Sequence, residues 1–147
     1  MRDFEKISFE QFSKDVNCDK ELYNNIKIPQ RESDATAGYD ICLLENIKIR
    51  PNEILKLPTG LKCFFEKDEV LLLVVRSSMG FKYNIRLCNQ VGVIDADYYN
   101  NKDNEGHIFA KITNDSNEGK YLRIEEKTGF MQGIFVEYGI TFDDEVD

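Results

Sequence analysis

The residues best suited to chemistry lie in the segment 76–98, RSSMGFKYNIRLCNQVGVIDADY. The segment begins where an apolar run, 70–75, ends on the charged and hydroxyl-rich turn 76–78. Near its other end, Asp95 follows directly after the apolar residues 92–94. An aspartate in this position either caps a turn, which is the more frequent outcome, or serves as a general base held in a dry pocket. Periodicity alone leaves both interpretations open.

A second informative stretch is ATAGYDI at 35–41. Gly38 permits a tight bend, and Asp40 by itself would be an ordinary hydrogen-bond acceptor in that turn. Magnesium keeps several waters and favours carboxylate together with phosphate oxygens, so one aspartate beside an Arg-Ser turn is chemically suitable for it. Asp40, Arg76 and Asp95 therefore form a candidate constellation.

The segment 76–98 resembles the second and third signature motifs of the trimeric dUTP pyrophosphatases (dUTPases), R-S-G-L-A-x-K-x-G-I-x-L-x-N-x-V-G-V-I-D-x-D-Y. The matching residues are Arg76, Ser77, Lys82, Ile85, Leu87, Asn89, Val91, Gly92, Val93, Ile94, Asp95, Asp97 and Tyr98. Ser78, Gly80 and Asn84 depart from the pattern, and Asn is the non-glycine residue that best tolerates positive φ. The stretch AGYDI resembles the first motif, A-G-Y-D-L.

The resemblance implies a reaction, the hydrolysis of dUTP to dUMP and pyrophosphate. Asp95 would activate the water that attacks the α-phosphorus, and Asp40 would reach Mg²⁺ through the water shell of the ion. Tyr98 would pack on the deoxyribose and leave no room for a 2′-hydroxyl. The residues implied for substrate binding are Arg76, Ser77, Ser78 and Gln132 on the phosphate side, Asn89, Gly92, Val93 and Ile94 at the uracil, and Tyr98 at the sugar.

The last two motifs of the family depart from the pattern. The fourth, G-x-R-x-A-Q-x-x-F, resembles 127–135, which keeps a Gly, the Gln at Gln132 and the Phe but lacks the central Arg. The fifth is a flexible R-x-x-G-F-G-S-T-G arm that folds over the nucleotide, and no such arm precedes the acidic end 143–147. Either the sequence stops before the arm or the protein works without it, and in the second case we expect slower turnover.

Three alternatives stay open. A dCTP deaminase shares the fold and an R-S-S turn, but its chemistry needs a glutamate that the expected strand at 107–113 lacks. A pyrophosphatase acting on another deoxynucleotide would use the same pocket. The third alternative is a catalytically silent domain that binds a nucleotide or a protein regulator.

Short apolar stretches separated by turns at 47–49, 54–57, 61–65, 70–75 and 108–112 predict an all-β sandwich or barrel. The resemblance implies a jelly-roll-like dUTPase fold and a homotrimer with active sites shared between subunits. The whole of 1–147 is expected to be one domain.

Residues 1–25 are predicted to form a helical extension that starts near Ser8, where Ser8 and Gln11 fit a capping box. The stretch 26–28 alternates with the period of a strand. The polar stretch 99–106 is predicted to be a surface loop with His107 as a surface residue at its edge.

Net charge, apolar runs and cysteine spacing argue against several classes of function. A net charge of -8 argues against nucleic-acid binding through a basic face. The longest apolar run is too short to span a bilayer, and the N-terminus lacks the features of a signal peptide, so the cytoplasm is the expected location. The widely spaced cysteines, Cys18, Cys42, Cys63 and Cys88, argue against a zinc site or a disulfide framework and are predicted to be small, mostly buried hydrophobes.

Overall fold

The structure is a computed structural model that describes residues 1–17 and 20–146. Its strands are β1 (Asp3–Lys6), β2 (Gln30–Arg31), β3 (Tyr39–Cys42), β4 (Ile47–Ile49), β5 (Ile54–Pro58), β6 (Leu61–Phe64), β7 (Glu69–Val75), β8 (Ile85–Leu87), β9 (Gly92–Ile94), β10 (Phe109–Asn114), β11 (Leu122–Ile124) and β12 (Gly129–Glu137). Its helices are α1 (Phe9–Val16), α2 (Lys20–Asn24) and α3 (Ser77–Tyr83), with a 3-10 turn at Ala96–Tyr98. No helix in the described part of the chain is long and apolar enough to cross a membrane.

Two antiparallel sheets carry most of the structure. The large sheet has the strand order β2-β3-β12-β7-β9, and the second sheet has the order β5-β10-β8. Their buried side chains belong to one hydrophobic core, which includes Ile41, Leu71 and Met131 of the large sheet and Leu57, Leu87 and Ile112 of the second. The strand pairs β1-β6 and β11-β4 complete the fold. The predicted all-β class is confirmed.

The predicted strand positions agree well with the observed ones, but two local predictions were wrong. The turn at 76–78 is the start of helix α3, since Arg76 is its N-cap and Ser77 its first residue. The stretch 26–28 is not a strand, because Pro29 removes a ladder donor and the alternation does not match one buried face. Ile26 is 5% exposed, whereas Ile28 is 42% exposed.

The N-terminal residues complete the core. The predicted helix is present as α1, and the Ser8 hydroxyl accepts a hydrogen bond of 3.1 Å from the Gln11 N–H. Strand β1, which the sequence did not predict, pairs with β6. Phe4, Ile7 and Phe12 are buried, so this segment covers apolar surface that would otherwise face water.

His107 is buried, and the prediction of a surface histidine was wrong. Its Nε2 accepts a hydrogen bond of 2.9 Å from the Gly60 N–H. Its Nδ1 lies 2.6 Å from Asp15 Oδ2. Because Nε2 is an acceptor, the ring proton belongs on Nδ1 and is donated to Asp15. Burial lowers the pKa of His107, and Asp15 offsets part of that shift. The prediction failed because α1, remote in sequence, covers the ring.

The described cysteines, Cys42, Cys63 and Cys88, are free thiols. Cys63 is buried, as predicted, and burial raises its pKa to about 12. Cys42 and Cys88 are only half-buried. The prediction for Cys18 lies outside the described residues. At Cys63, the high pKa keeps the thiol protonated and chemically inert.

Candidate active site

Strand β12 brings three predicted site residues together by lying between β3 and β7. Gln132 pairs with Asp40 on one side and with Val74 on the other. Arg76 follows β7, and its backbone N–H donates to the Phe130 carbonyl at 3.0 Å. The Arg76 Nε lies 3.4 Å from Asp40 Oδ1. We call Asp40, Arg76, Ser77, Ser78 and Gln132 the Arg76 half-site.

Two glycines allow this half-site to close. A Cβ atom at Gly38 would overlap the side-chain oxygen of Gln132. A Cβ atom at Gly129 would lie 2.8 Å from Arg76 Nη1. The Arg76 guanidinium therefore packs directly against the backbone at Gly129, and a side chain at position 129 would displace it.

The altered fourth motif has a register in which Gly129 does not stand for the Gly of the pattern, and the backbone agrees with it. Counted back from Gln132, the Gly of the pattern falls at Lys127 and its Arg falls at Gly129, so Gly129 is not the Gly of the motif. Lys127 has a φ of 66°, a conformation that glycine adopts most easily. Arg76 thus lies over the position from which the arginine of the pattern would project.

A polar cavity of about 350 Å³ adjoins the Arg76 half-site. Its lining includes three cations that were not among the predicted site residues, namely Lys27, Arg31 and Lys127. Arg31 is already engaged, because its Nη1 donates to the carbonyls of Asp34 at 2.9 Å and Thr36 at 3.1 Å. These cations come from chain segments that are distant in sequence, so the spacing of residues in the sequence does not predict that they cluster.

The remaining predicted residues lie where the chain passes between the two sheets. Strand β8 belongs to the second sheet and β9 to the large sheet, and the turn 88–91 joins them. Asn89 and Gly92 line a cavity of about 330 Å³. The rest of its lining is Lys56, Leu73, Leu87, Cys88, Phe109, Ala110, Lys111 and Met131. This mixture of apolar surface and a few polar groups is typical of small-molecule sites.

Asp95 directly follows β9 and has an exposed carboxylate. It is the N-cap residue of the 3-10 turn, yet within the described chain its side chain makes no capping hydrogen bond. Within the described chain the carboxylate is therefore open to solvent, and no dry pocket surrounds it. Tyr98 is half-buried, and Val93 is 58% exposed. We call Asn89, Gly92, Val93, Ile94, Asp95 and Tyr98 the Asp95 half-site.

Asp95 and Arg76 lie toward opposite ends of β7. Strand β9 runs antiparallel to β7, with Ile94 opposite Leu71 and Gly92 opposite Leu73. Asp95 therefore lies near the beginning of β7, whereas Arg76 follows its end. Continuing this register places Asp95 beside Val70, and the six residue steps from Val70 to Arg76 span roughly 20 Å along an extended strand. Of the predicted constellation of Asp40, Arg76 and Asp95, the first two lie together within one chain, and Asp95 lies apart from them.

The described residues contain no group of three or more His, Cys, Asp or Glu side chains placed to hold a metal ion. Asp40 is the carboxylate of the Arg76 half-site, and it is only partly covered. One carboxylate does not make a complete metal site. It suits a magnesium ion that keeps water ligands and takes its other oxygens from a phosphorylated substrate.

Comparisons with known proteins identify the family. The sequence model of the dUTPase family matches residues 24–140. The chain belongs to the dUTPase family. It is 43% identical over 120 residues to the deoxyuridine 5'-triphosphate nucleotidohydrolase of Lactococcus lactis subsp. lactis (strain IL1403), covering 82% of this chain and 79% of that protein. The corresponding protein of Hahella chejuensis is 32% identical over 133 residues, covering 88% of this chain and 84% of the relative.

Solved dUTPase structures share the fold. The dUTPase from Streptococcus mutans matches with a TM-score of 0.73 at 36% identity, covering 95% of this chain and 98% of that one. A Staphylococcus bacteriophage 80alpha dUTPase matches with a TM-score of 0.72, covering 100% of this chain and 96% of that one, but at 19% identity it supports the fold alone. The predicted family, fold class and dUTP-hydrolysing activity are confirmed.

Proposed function

We propose that this dUTPase converts dUTP to dUMP and pyrophosphate at active sites that neighbouring chains of a homotrimer build together. The separation of the two half-sites carries this proposal. Arg76 pairs with Asp40 at one end of β7, and Asp95 lies at the other end. One substrate can meet both half-sites if Arg76 comes from one chain and Asp95 from its neighbour.

The Arg76 half-site would bind the phosphates. Arg76 supplies a cation whose fork of N–H groups matches phosphate oxygens. The N–H groups of Ser77 and Ser78, in the first turn of α3, have no intrahelical partner and can donate to the substrate. Gln132 adds an amide donor beside Asp40. Lys27 and Lys127, which line the adjoining cavity, increase the local positive charge.

Magnesium fits the donor set of this half-site. Asp40 would hold the ion through its water shell, with the remaining oxygens coming from the triphosphate. When bound, the ion would neutralise phosphate charge and orient the chain of phosphates. Arg76 keeps the Asp40 carboxylate in place from a distance of 3.4 Å.

Asp95 would act as the general base. It would take a proton from a water molecule as the water oxygen bonds to the α-phosphorus. The bond from that phosphorus to the oxygen bridging toward the β-phosphorus would break, and pyrophosphate would leave with the bonding electron pair. The neighbouring chain would cover the exposed Asp95 carboxylate, which excludes bulk water and places the attacking water.

The Asp95 half-site would also select the nucleoside. Asn89 and the backbone around Gly92, Val93 and Ile94 would bind the edge of the uracil in the cavity that Asn89 and Gly92 line. Tyr98 would pack on the deoxyribose. Strand β10, which reads FAKITN, has no acidic side chain, so this site lacks the glutamate that deamination of dCTP requires.

An Asp95→Asn variant tests the proposal. We expect it to bind dUTP with unchanged affinity and to lose turnover by about 10²- to 10⁴-fold, the usual contribution of a general base. The assay is pyrophosphate release from dUTP, dCTP, dTTP and UTP, each with and without Mg²⁺. Asp68→Asn, at an exposed position in the turn before β7, is the matched control.

Turnover of dUTP by Asp95→Asn at the wild-type rate would show that the base is another group. Preferential release from a different deoxynucleotide would reassign the specificity of the pocket. Binding of dUTP without any turnover by the wild-type chain would favour the catalytically silent domain.

A further inference from the structure

We propose that the loop 99–106 and His107 position Tyr98 and thereby determine how strictly the enzyme rejects ribonucleotides. This inference rests on the proposed role of Tyr98 at the deoxyribose. The loop directly follows Tyr98, the last residue of the segment that resembles the second and third motifs. Asn104 is the residue that positions the Tyr98 hydroxyl.

Both ends of Tyr98 are held by this segment. Its hydroxyl donates to the His107 carbonyl at 2.7 Å and accepts from the Asn104 Nδ2 at 2.8 Å. Its carbonyl accepts from the Asn101 Nδ2 at 2.8 Å. Because the hydroxyl proton is already used, Tyr98 offers a sugar the surface of its ring and no free donor.

Asn104 is itself fixed in orientation. Its Oδ1 accepts from the Asn101 Nδ2 at 2.9 Å and from the Gly106 N–H at 3.1 Å. Its backbone N–H donates to the Asn101 Oδ1 at 3.0 Å. With the oxygen held by two donors, the amide nitrogen of Asn104 can point only toward the Tyr98 hydroxyl.

The segment is anchored to distant parts of the chain. The Glu105 carboxylate accepts from the Ser8 N–H at 2.8 Å and from the Ser8 hydroxyl at 2.7 Å, and it pairs with Lys62 Nζ at 3.0 Å. The ring of His107 is held by Asp15 and Gly60. The N-terminal segment and strand β6 therefore support the residue expected to contact the sugar.

This support matters because exclusion of a 2′-hydroxyl is a steric effect. A ring that can yield by about 1 Å admits the extra oxygen, whereas a ring held at both ends does not. Rejection of UTP should therefore depend on Asn104 and on the His107 carbonyl, although neither group is expected to touch the nucleotide.

An Asn104→Ala variant tests the inference through a ratio, kcat/KM for dUTP divided by kcat/KM for UTP. We expect this ratio to fall about tenfold, mainly through a lower KM for UTP, as one hydrogen bond to Tyr98 is lost. Asn100→Gly is the matched control. It removes the bond of 2.7 Å from Lys62 to Asn100 in the same loop without touching Tyr98, and we expect it to leave the ratio unchanged.

Tyr98→Phe keeps the ring and removes both hydroxyl bonds without altering the loop, so it gives the same readout if Asn104→Ala does not fold. In the double variant, Asn104→Ala should have no further effect on the ratio. The inference is overturned if Tyr98→Phe or Asn104→Ala reduces turnover of both substrates equally, or if Asn100→Gly shifts the ratio as much.

A wild-type chain that does not hydrolyse dUTP would contradict the proposed function instead. The inference would then be decided by the affinities of dUMP and UMP for the same variants. A preference for dUMP that weakens in Asn104→Ala and Tyr98→Phe, but not in Asn100→Gly, would support it, and equal affinities in the wild type would overturn it.

Discussion

Mixing two inactive variants should restore activity if neighbouring chains build each active site. Asp95→Asn keeps the Arg76 half-site and loses the proposed base, whereas Arg76→Ala keeps Asp95 and loses the proposed phosphate-binding cation. Arg76 directly follows β7 and Asp95 directly follows β9, and because these strands are antiparallel the two residues lie roughly 20 Å apart along the length of β7. No chain in the mixture is competent alone, but a site that combines Arg76 of one chain with Asp95 of another is complete.

The size of the recovery follows from the composition of the mixed trimers. In an equimolar mixture, half of the sites receive their Arg76 half-site from an Asp95→Asn chain. Independently, half receive their Asp95 half-site from an Arg76→Ala chain, so about one quarter of all sites are intact. A three-to-one mixture should contain intact sites at about three sixteenths of the total, and this dependence on the ratio is itself diagnostic.

The assay is pyrophosphate release from dUTP after the two variants are unfolded together in urea and refolded by dilution. Each variant refolded alone is the background control, and native mass spectrometry verifies that mixed trimers have formed. Activity that stays at background at every mixing ratio, in samples that contain mixed trimers, would refute the shared site. The Arg76 and Asp95 half-sites would then have to act within one chain.

Two further predictions follow from single contacts. Gly129→Ala should lower kcat/KM for dUTP about tenfold by moving Arg76 away from Asp40. The loss of stability should be less than about 1 kcal/mol, because the displaced group ends a flexible side chain. Gly139→Ala, with open space around it, is the control, and equal kinetics in the two variants would exclude the effect. The free energy of unfolding should decrease as the pH falls from about 7 toward 5. Burial lowers the pKa of His107 in the folded chain, so in this pH range the unfolded chain binds a proton at His107 more readily than the folded chain does. In urea titrations, His107→Gln should show a flatter pH dependence in that window, and an unchanged slope would exclude His107 as the cause.

The sequence located most strands correctly because their signals are local. Runs such as 70–75 combine apolar β-formers with turn residues on either side, and β7 occupies Glu69–Val75. Helix α1 was equally local, since Ser8 caps it through Gln11. The start of α3 was missed because an Arg-Ser-Ser sequence is compatible with either a turn or a helix N-terminus.

The environment of His107 could not be predicted from its neighbours in sequence. Its partners, Asp15 and Gly60, come from a helix and a turn far away along the chain. The same is true of Arg76, whose guanidinium fits because position 129 has no side chain. Pairings of this kind depend on which segments the fold places side by side, and no local pattern encodes them.

The sequence by itself determined the class of fold and supplied the candidate residues of the site, since alternation, turns and motif residues are properties of short stretches. The tertiary structure decided which of those residues lie close together within one chain. The antiparallel register of β7 and β9 places Arg76 and Asp95 at opposite ends of two paired strands. A register of hydrogen bonds between strands is a long-range property, so only the folded chain showed how far apart Arg76 and Asp95 lie within one chain.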